Sequence, residues 1–501
     1  MAANPADLVF CNARVITYEA NSSLAEAVAV RAGRISAVGT NSETMRQAGP
    51  DTRIIDCQGL TMVPGFNDAH CHPIYLAMAL LQIDCSARSV KDIAGIQALV
   101  REQAQVTPAG KWLRAAQYNE CDLAEKRHPT RWELDVAAPG HPVILTHYTA
   151  GLCVLNTLAL KLAGIAPDTT NGIIFGRNEK VQQGVPPISS EELVKGIVLA
   201  SQQYLACGIT SLQDTSWNNE LAHWQTYLKI KSQEGLLPCR VSMLIGIDSL
   251  PGFISSGLYM GSGDSQLRIG GVKLALDEKT GNPHPPQADL DNAALLAHLA
   301  GFQIAFHVHD QQGLRSSLKS IEFALSQTAK PLQRHRLEHC VVCSPSEISL
   351  MQKNRPVVVT QPAFLYYNGD DFMETVPPDQ LNCLFPLNSM KRSGLQLAFS
   401  SDSPMIPSNP MLGIYAAVVR KTMFGQDFAP EEGISVTDAL QMYTFGGAYA
   451  SGEENSKGSL TCGKFADLVL LDLDPNLAER DTLRDIKVMM TVIDGKIVWQ
   501  R

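Results

Sequence analysis

The chain has 501 residues, 45% of them hydrophobic and 18% charged, a globular balance that excludes disorder and collagen-like order. A net charge of −9 without a Lys/Arg cluster argues against nucleic acid, whose phosphates need a concentrated basic surface. Twelve scattered cysteines, no charged-then-apolar leader and no apolar run fit to cross a bilayer point to a cytoplasmic chain with reduced thiols, off the membrane.

In chain order, Asp7–Ile16 and Ala27–Gly39 are short β-rich runs broken by Gly-containing turns, which is hairpin material. Ala466–Asp472 and Val488–Trp499 repeat that texture at the other end. Chain termini often lie close together, so 1–63 and 453–501 are expected to form one small β-sandwich flanking a central domain at 64–452. The centre alternates apolar strands with helical stretches, the pattern of a mainly parallel sheet. Eight strands are predicted: Leu60–Asn67, Gly208–Gln213, Arg240–Ile245, Gly270–Leu276, Phe302–Val308, Arg334–Cys340, Pro356–Gln361 and Leu395–Ser401. Eight suits an α/β fold of the (β/α)8 TIM-like barrel type, although an open doubly wound sheet can reach the same number. The stretch at about 85–187 breaks the alternation and reads as an insertion after the first strand, lying over the barrel mouth. Cys340 and Cys343 have no second pair and read as buried structural thiols.

Several residues with metal-ligand chemistry end these strands. His70 and His72, two apart, present both imidazoles to one side. Cys71 between them faces away. Lys273, His307 with His309, His339 and Asp402 close four further strands. Each has a dull reading as a core histidine, half-buried lysine or capping aspartate. A barrel, however, gathers all its strand C-termini at one mouth. A lysine among metals must be neutral; burial favours that form, and a neutral amine adds carbon dioxide to give a carbamate.

Val63-Pro-Gly-Phe-Asn-Asp-Ala-His-Cys-His72, Gly271-Val-Lys-Leu274, Arg336-Leu-Glu-His339, Thr360-Gln-Pro-Ala-Phe364, Ser401-Asp-Ser-Pro404 and Gly463-Lys-Phe-Ala-Asp-Leu-Val469 resemble the amidohydrolase superfamily, in its YtcJ-like branch of N-substituted formamide deformylases. The resemblance spans essentially the whole chain. It implies two divalent metal ions, with zinc the leading candidate. His70, His72 and Asp402 would hold one, His307 and His339 the other, with Lys273 as a carbamate between them. His309 shares the face of His307 and is left as an outer partner or a substrate contact. Three places depart from the branch's pattern: His307-Val-His-Asp-Gln-Gln-Gly313, Ala150-Gly151 ahead of Asn156-Thr157, and Asp277-Glu278. All three should face the substrate.

The reading is a hydrolase acting on a small molecule's amide or N-acyl carbon–nitrogen bond through a metal-activated hydroxide. Asp402 takes the water's proton and hands it to the leaving nitrogen. Esterase or lactonase chemistry on the same machinery is the main rival. A decarboxylase, a single-metal deaminase and a non-catalytic metal-binding regulator follow. For the substrate walls the sequence offers His147 and Tyr148 in the insertion, and Phe364 and Tyr366 in the loop after the seventh strand. A homo-oligomer is compatible with the sequence.

Overall fold

A computed structural model describes residues 4–18, 25–149, 151–176, 178–233, 235–276, 285–328 and 334–501. It divides into two compact units, Met1–Pro73 with Ser201–Arg501, and Ile74–Ala200.

The first unit is built on an eight-stranded parallel sheet. Its strands are β1 (Phe66–Cys71), β2 (Ile209–Asp214), β3 (Arg240–Gly246), β4 (Leu267–Leu274), β5 (Ile304–Val308), β6 (Arg336–His339), β7 (Val357–Thr360) and β8 (Gln396–Phe399), each paired with its sequence neighbour. The sheet curls until its ends meet. Beyond β8 the Asp402 N–H donates to the His70 carbonyl at 2.8 Å, and the His72 N–H donates to the Ser403 carbonyl at 2.8 Å. This is the (β/α)8 barrel, and the seam closes beside the candidate ligands.

One boundary differs from the sequence reading. The run expected to be the first barrel strand, Leu60–Asn67, is split between two elements. Thr61–Pro64 belongs to a flanking sheet, and β1 starts only after Gly65. A Cβ on Gly65 would stand 2.2 Å from Thr210 Oγ1, so only glycine lets the chain pass β2 this closely.

Two smaller sheets accompany the barrel in this unit. One runs Arg34–Gly39, Ala27–Arg31, Ala6–Cys11, Ala48–Asp56; the other Arg14–Val15, Thr61–Pro64, Leu468–Leu471, Val488–Ile493, Lys496–Gln500. Phe10, Val28, Val30, Met62, Leu468, Leu470 and Val492 share one core between them. Burying each such side chain contributes about 1.5–3 kcal/mol, which draws segments from both ends of the chain together.

Helices start just after strands that end in candidate ligands. Asp310, following His309, caps Gln311–Ser326 by accepting from the Gly313 N–H at 2.7 Å. Ser344 opens Pro345–Asn354 with a capping box to Glu347 and Pro345 at the first helical position.

The second unit carries a five-stranded sheet in the order Ile173–Phe175, Leu152–Leu155, Val143–His147, Leu113–Tyr118, Ile83–Asp84. Ile93, Ile96 and Val100 of the helix Ile93–Val106 pack with Leu113, Val143 and Leu145 in its core. Among the described residues, no helix is long and apolar enough to cross a membrane.

Candidate metal centre

His70 and His72, two apart at the end of β1, stand with ring centroids 5.3 Å apart. Cys71 turns away, its thiol toward the Gln213 carbonyl at 3.6 Å. Each imidazole has its Nδ1 side taken. His70 Nδ1 lies 2.6 Å from the buried Glu338 carboxylate and His72 Nδ1 lies 3.0 Å from Ser216 Oγ. Ser216 spends its own proton on Asp214 Oδ1 at 2.7 Å, so it accepts from His72. Both Nδ1 atoms therefore act as N–H donors, and in the neutral imidazole, the form that binds metal, both Nε2 atoms carry lone pairs. Those lone pairs face Asp402 Oδ1, at 3.4 Å from His70 and 3.0 Å from His72. In that form three acceptors converge. Such a group fits a cation.

The second cluster is built from β5 and β6. His307, His309 and His339 place one ligand atom each within 4.8 Å of the others, as do His70, His72 and Asp402. Gln361 donates its amide N–H to Ser400 Oγ at 3.0 Å, which turns its oxygen toward His339 Nδ1 at 2.9 Å. His339 Nε2 is left buried without a hydrogen-bond partner. Burial, reinforced by the Lys273 ammonium, pushes His307 down to about 2. Burial likewise holds His70 and His339 well below the usual histidine range, in the neutral form that binds metal. Lys273 Nζ is buried with no hydrogen-bond partner. Burial draws its pKa down to about 8, against the pull of Glu338 and Asp402.

The pattern of the amidohydrolase family matches residues 53–499. The chain belongs to that family. It is 28% identical to an N-substituted formamide deformylase of Arthrobacter pascens, over 99% of this chain and 98% of that one. It is 25% identical to the YtcJ protein of Bacillus subtilis, over 95% and 96%. An uncharacterized metal-dependent hydrolase of Pyrococcus furiosus superposes with a TM-score of 0.79 at 22% identity, covering 94% of this chain and 99% of that one. As an amidohydrolase, this protein is a metal-dependent hydrolase.

Some of the amidohydrolase site escaped sequence reading. Glu338 grips His70 while Arg336 holds Glu338 through Nε at 2.7 Å and Nη2 at 3.1 Å. Arg336 also reaches Gln213 Oε1 at 2.5 Å and the Ala69 carbonyl at 2.7 Å. Asp68 accepts from Ser401 Oγ at 2.5 Å and from its N–H at 2.9 Å, and burial raises its pKa to about 6. Alternation along β1 and β6 puts Asp68 with His70 and Glu338 with Arg336, the one signal that could have flagged them.

The candidate substrate contacts are placed as follows. Tyr366 does not lie in a loop: Ala363–Thr375 is a helix, with Tyr366 packed against Tyr367 and Tyr415. Phe364 is half-buried in its first turn. In the second unit, His147 Nε2 meets Glu120 at 2.7 Å, His147 Nδ1 meets Thr149 Oγ1 at 2.7 Å, and Tyr148 is exposed. Ala150, Asp277 and Glu278 lie outside the described residues. Cys340 and Cys343 are buried free thiols, and burial drives Cys343 well above the usual thiol range.

Proposed function

We propose that this amidohydrolase cleaves an amide or other N-acyl carbon–nitrogen bond of a small molecule, with Asp402 as the proton shuttle. The observation that carries the reading is the acceptor-only cluster in which His70 and His72 aim their Nε2 lone pairs at Asp402. Similarity over nearly the whole length to a protein named as a formamide deformylase supports the bond class. His70, His72 and Asp402 would hold one divalent ion and His307 and His339 a second, zinc being the leading candidate for imidazole-rich sites. Lys273 would lie between them as a carbamate. Ions there supply Lewis acidity and lower the pKa of water toward neutrality.

The protein's own groups then divide the work. The oxygen of Asp402 accepts the proton of the attacking water and returns it to the departing nitrogen, which as a free amide anion would not leave. Glu338 and Ser216 keep His70 and His72 in the tautomer that offers Nε2. Lys273, drawn to about 8, keeps part of its amine unprotonated near neutral pH. That amine attacks carbon dioxide and sheds one proton, leaving an anionic carbamate.

The test is Asp402→Asn, which keeps the shape and a ligand oxygen but is a far weaker base. Its kcat on an anilide and an N-formyl amine should fall by about 10²–10⁴-fold, with a smaller loss on a nitrophenyl ester whose leaving group needs no proton. Equal losses on all three would reduce Asp402 to a ligand. Esters turned over by the wild type with no amide cleavage would overturn the amidase reading in favour of an esterase.

A further inference from the structure

We propose that His309 is itself a metal ligand, and that His307, His309 and His339 form a tri-histidine pocket able to hold a divalent cation without a carbamylated Lys273. This rests on reading the cluster as a metal centre, but it changes how that centre is loaded. With His307 and His339 alone, the second ion has two protein ligands and depends on the carbamate for its third. Three imidazoles and an open position are already a complete zinc site.

The geometry points this way on both strands. His307 and His309 are two residues apart at the end of β5, so alternation sends both rings to one side. Their centroids are 4.4 Å apart with the planes inclined by 26°. Each ring is 4.6 Å from His339, and the three ligand atoms lie within 4.8 Å of one another. His339 is prepared for a cation: Gln361, itself oriented by Ser400, takes the Nδ1 side, and Nε2 stays buried with no hydrogen-bond partner. Directly after His309, Asp310 is fixed as the cap of Gln311–Ser326, which anchors the backbone that carries the imidazole. His70, His72 and Asp402 form a separate three-ligand group. Lys273 is buried near the end of β4, in register with Ala305 of the neighbouring β5. A carbamate on Lys273 would then serve as a further ligand and would not be needed as the third.

The experiment counts zinc rather than turnover. Wild type, Lys273→Ala, His309→Ala and His309→Gln are stripped and reloaded, in buffer purged of carbon dioxide and in bicarbonate. Zinc equivalents and affinities are read by competition with a chromophoric chelator, and melting curves confirm folding. Wild type and Lys273→Ala should each bind about two equivalents in both buffers. Both His309 variants should keep one tight site and weaken the other by more than about 100-fold, beyond the 10–100-fold cost of an outer partner. Because His309 is exposed, removing its ring leaves no buried cavity, and the Gln variant serves as a second control on folding. Two undiminished equivalents in the His309 variants, or only one equivalent in Lys273→Ala, would overturn the proposal. A wild type that takes up no divalent ion would instead overturn the metal-centre reading itself.

Discussion

Glu338 has no exposed surface, yet its carboxylate touches the imidazole of His70 and the guanidinium of Arg336. Its charge matters in both directions. It balances Arg336, also fully buried, and it holds the His70 Nδ1–H so that Nε2 remains a lone pair. Glu338→Gln keeps the size but leaves the arginine uncompensated inside the barrel, where breaking a buried pair costs about 3–5 kcal/mol. We expect a lower melting temperature and a metal affinity reduced by about 10–100-fold. Replacing Arg336 by Met as well removes the stranded charge, so the double variant should regain part of the stability without regaining the affinity. Melts and chelator competition on both variants separate the two effects. If the double variant melts no higher than Glu338→Gln, charge imbalance is not the cause.

The ends of the strands show why some of the site was legible and some was not. His70 with His72 and His307 with His309 obey the two-residue period of a strand, so spacing alone puts each pair on one side. Glu338 and His339 are adjacent and should face opposite ways, but both meet the site. The backbone resolves this by entering the left-handed region at His339, φ +69, and Cys340, φ +50; Asp402, next to the Ser401 that binds Asp68, does the same at φ +59. Non-glycine residues in that region are strained, and such strain concentrates at functional sites. No hydrophobic pattern announces it. Periodicity also missed the Tyr366 helix, because Tyr-Tyr-Asn-Gly reads as turn chemistry until tertiary packing overrides it. It likewise ran Leu60–Asn67 together, since both elements are apolar and only the approach of Thr210 separates them. That approach gives an element-scale prediction. Gly65→Ala should destabilise by about 1–3 kcal/mol through overpacking against Thr210. Thr210→Ala in that background should recover much of the loss. Denaturant unfolding of the three variants tests this, and Gly65→Ala with wild-type stability would mean that the two strands can move apart.

At the scale of the whole molecule, the sheets built from both chain ends are tied to the barrel by charge as well as by the chain itself. Arg240 on β3 grips Asp467 through Nε at 2.6 Å and Nη2 at 2.9 Å, and reaches Asp494 at 2.5 Å. The global response to acid has another source in the barrel wall. His335 is buried beside His298, with ring centroids 5.3 Å apart, and its Nδ1 accepts the Ile304 N–H at 3.1 Å. Burial above all, then the neighbouring imidazole, pushes its pKa down to about 3. An unfolded histidine titrates near 6.5, so below that pH the unfolded chain binds a proton that the folded chain refuses. The stability His335 supports is complete above about pH 6.5 and drains away as pH falls toward 3, by up to about 1.4 kcal/mol per pH unit. Asp68 works the opposite way, since its folded pKa is raised to about 6. A variant is therefore needed to isolate the histidine. His335→Asn can still accept the Ile304 N–H but cannot be protonated. In metal-free protein, where loss of ions does not contribute, it should be less stable than wild type near neutral pH, with the gap narrowing as pH falls. Denaturant unfolding between about pH 7 and pH 5 reads that gap. A constant difference across the range would place the acid sensitivity elsewhere than in His335.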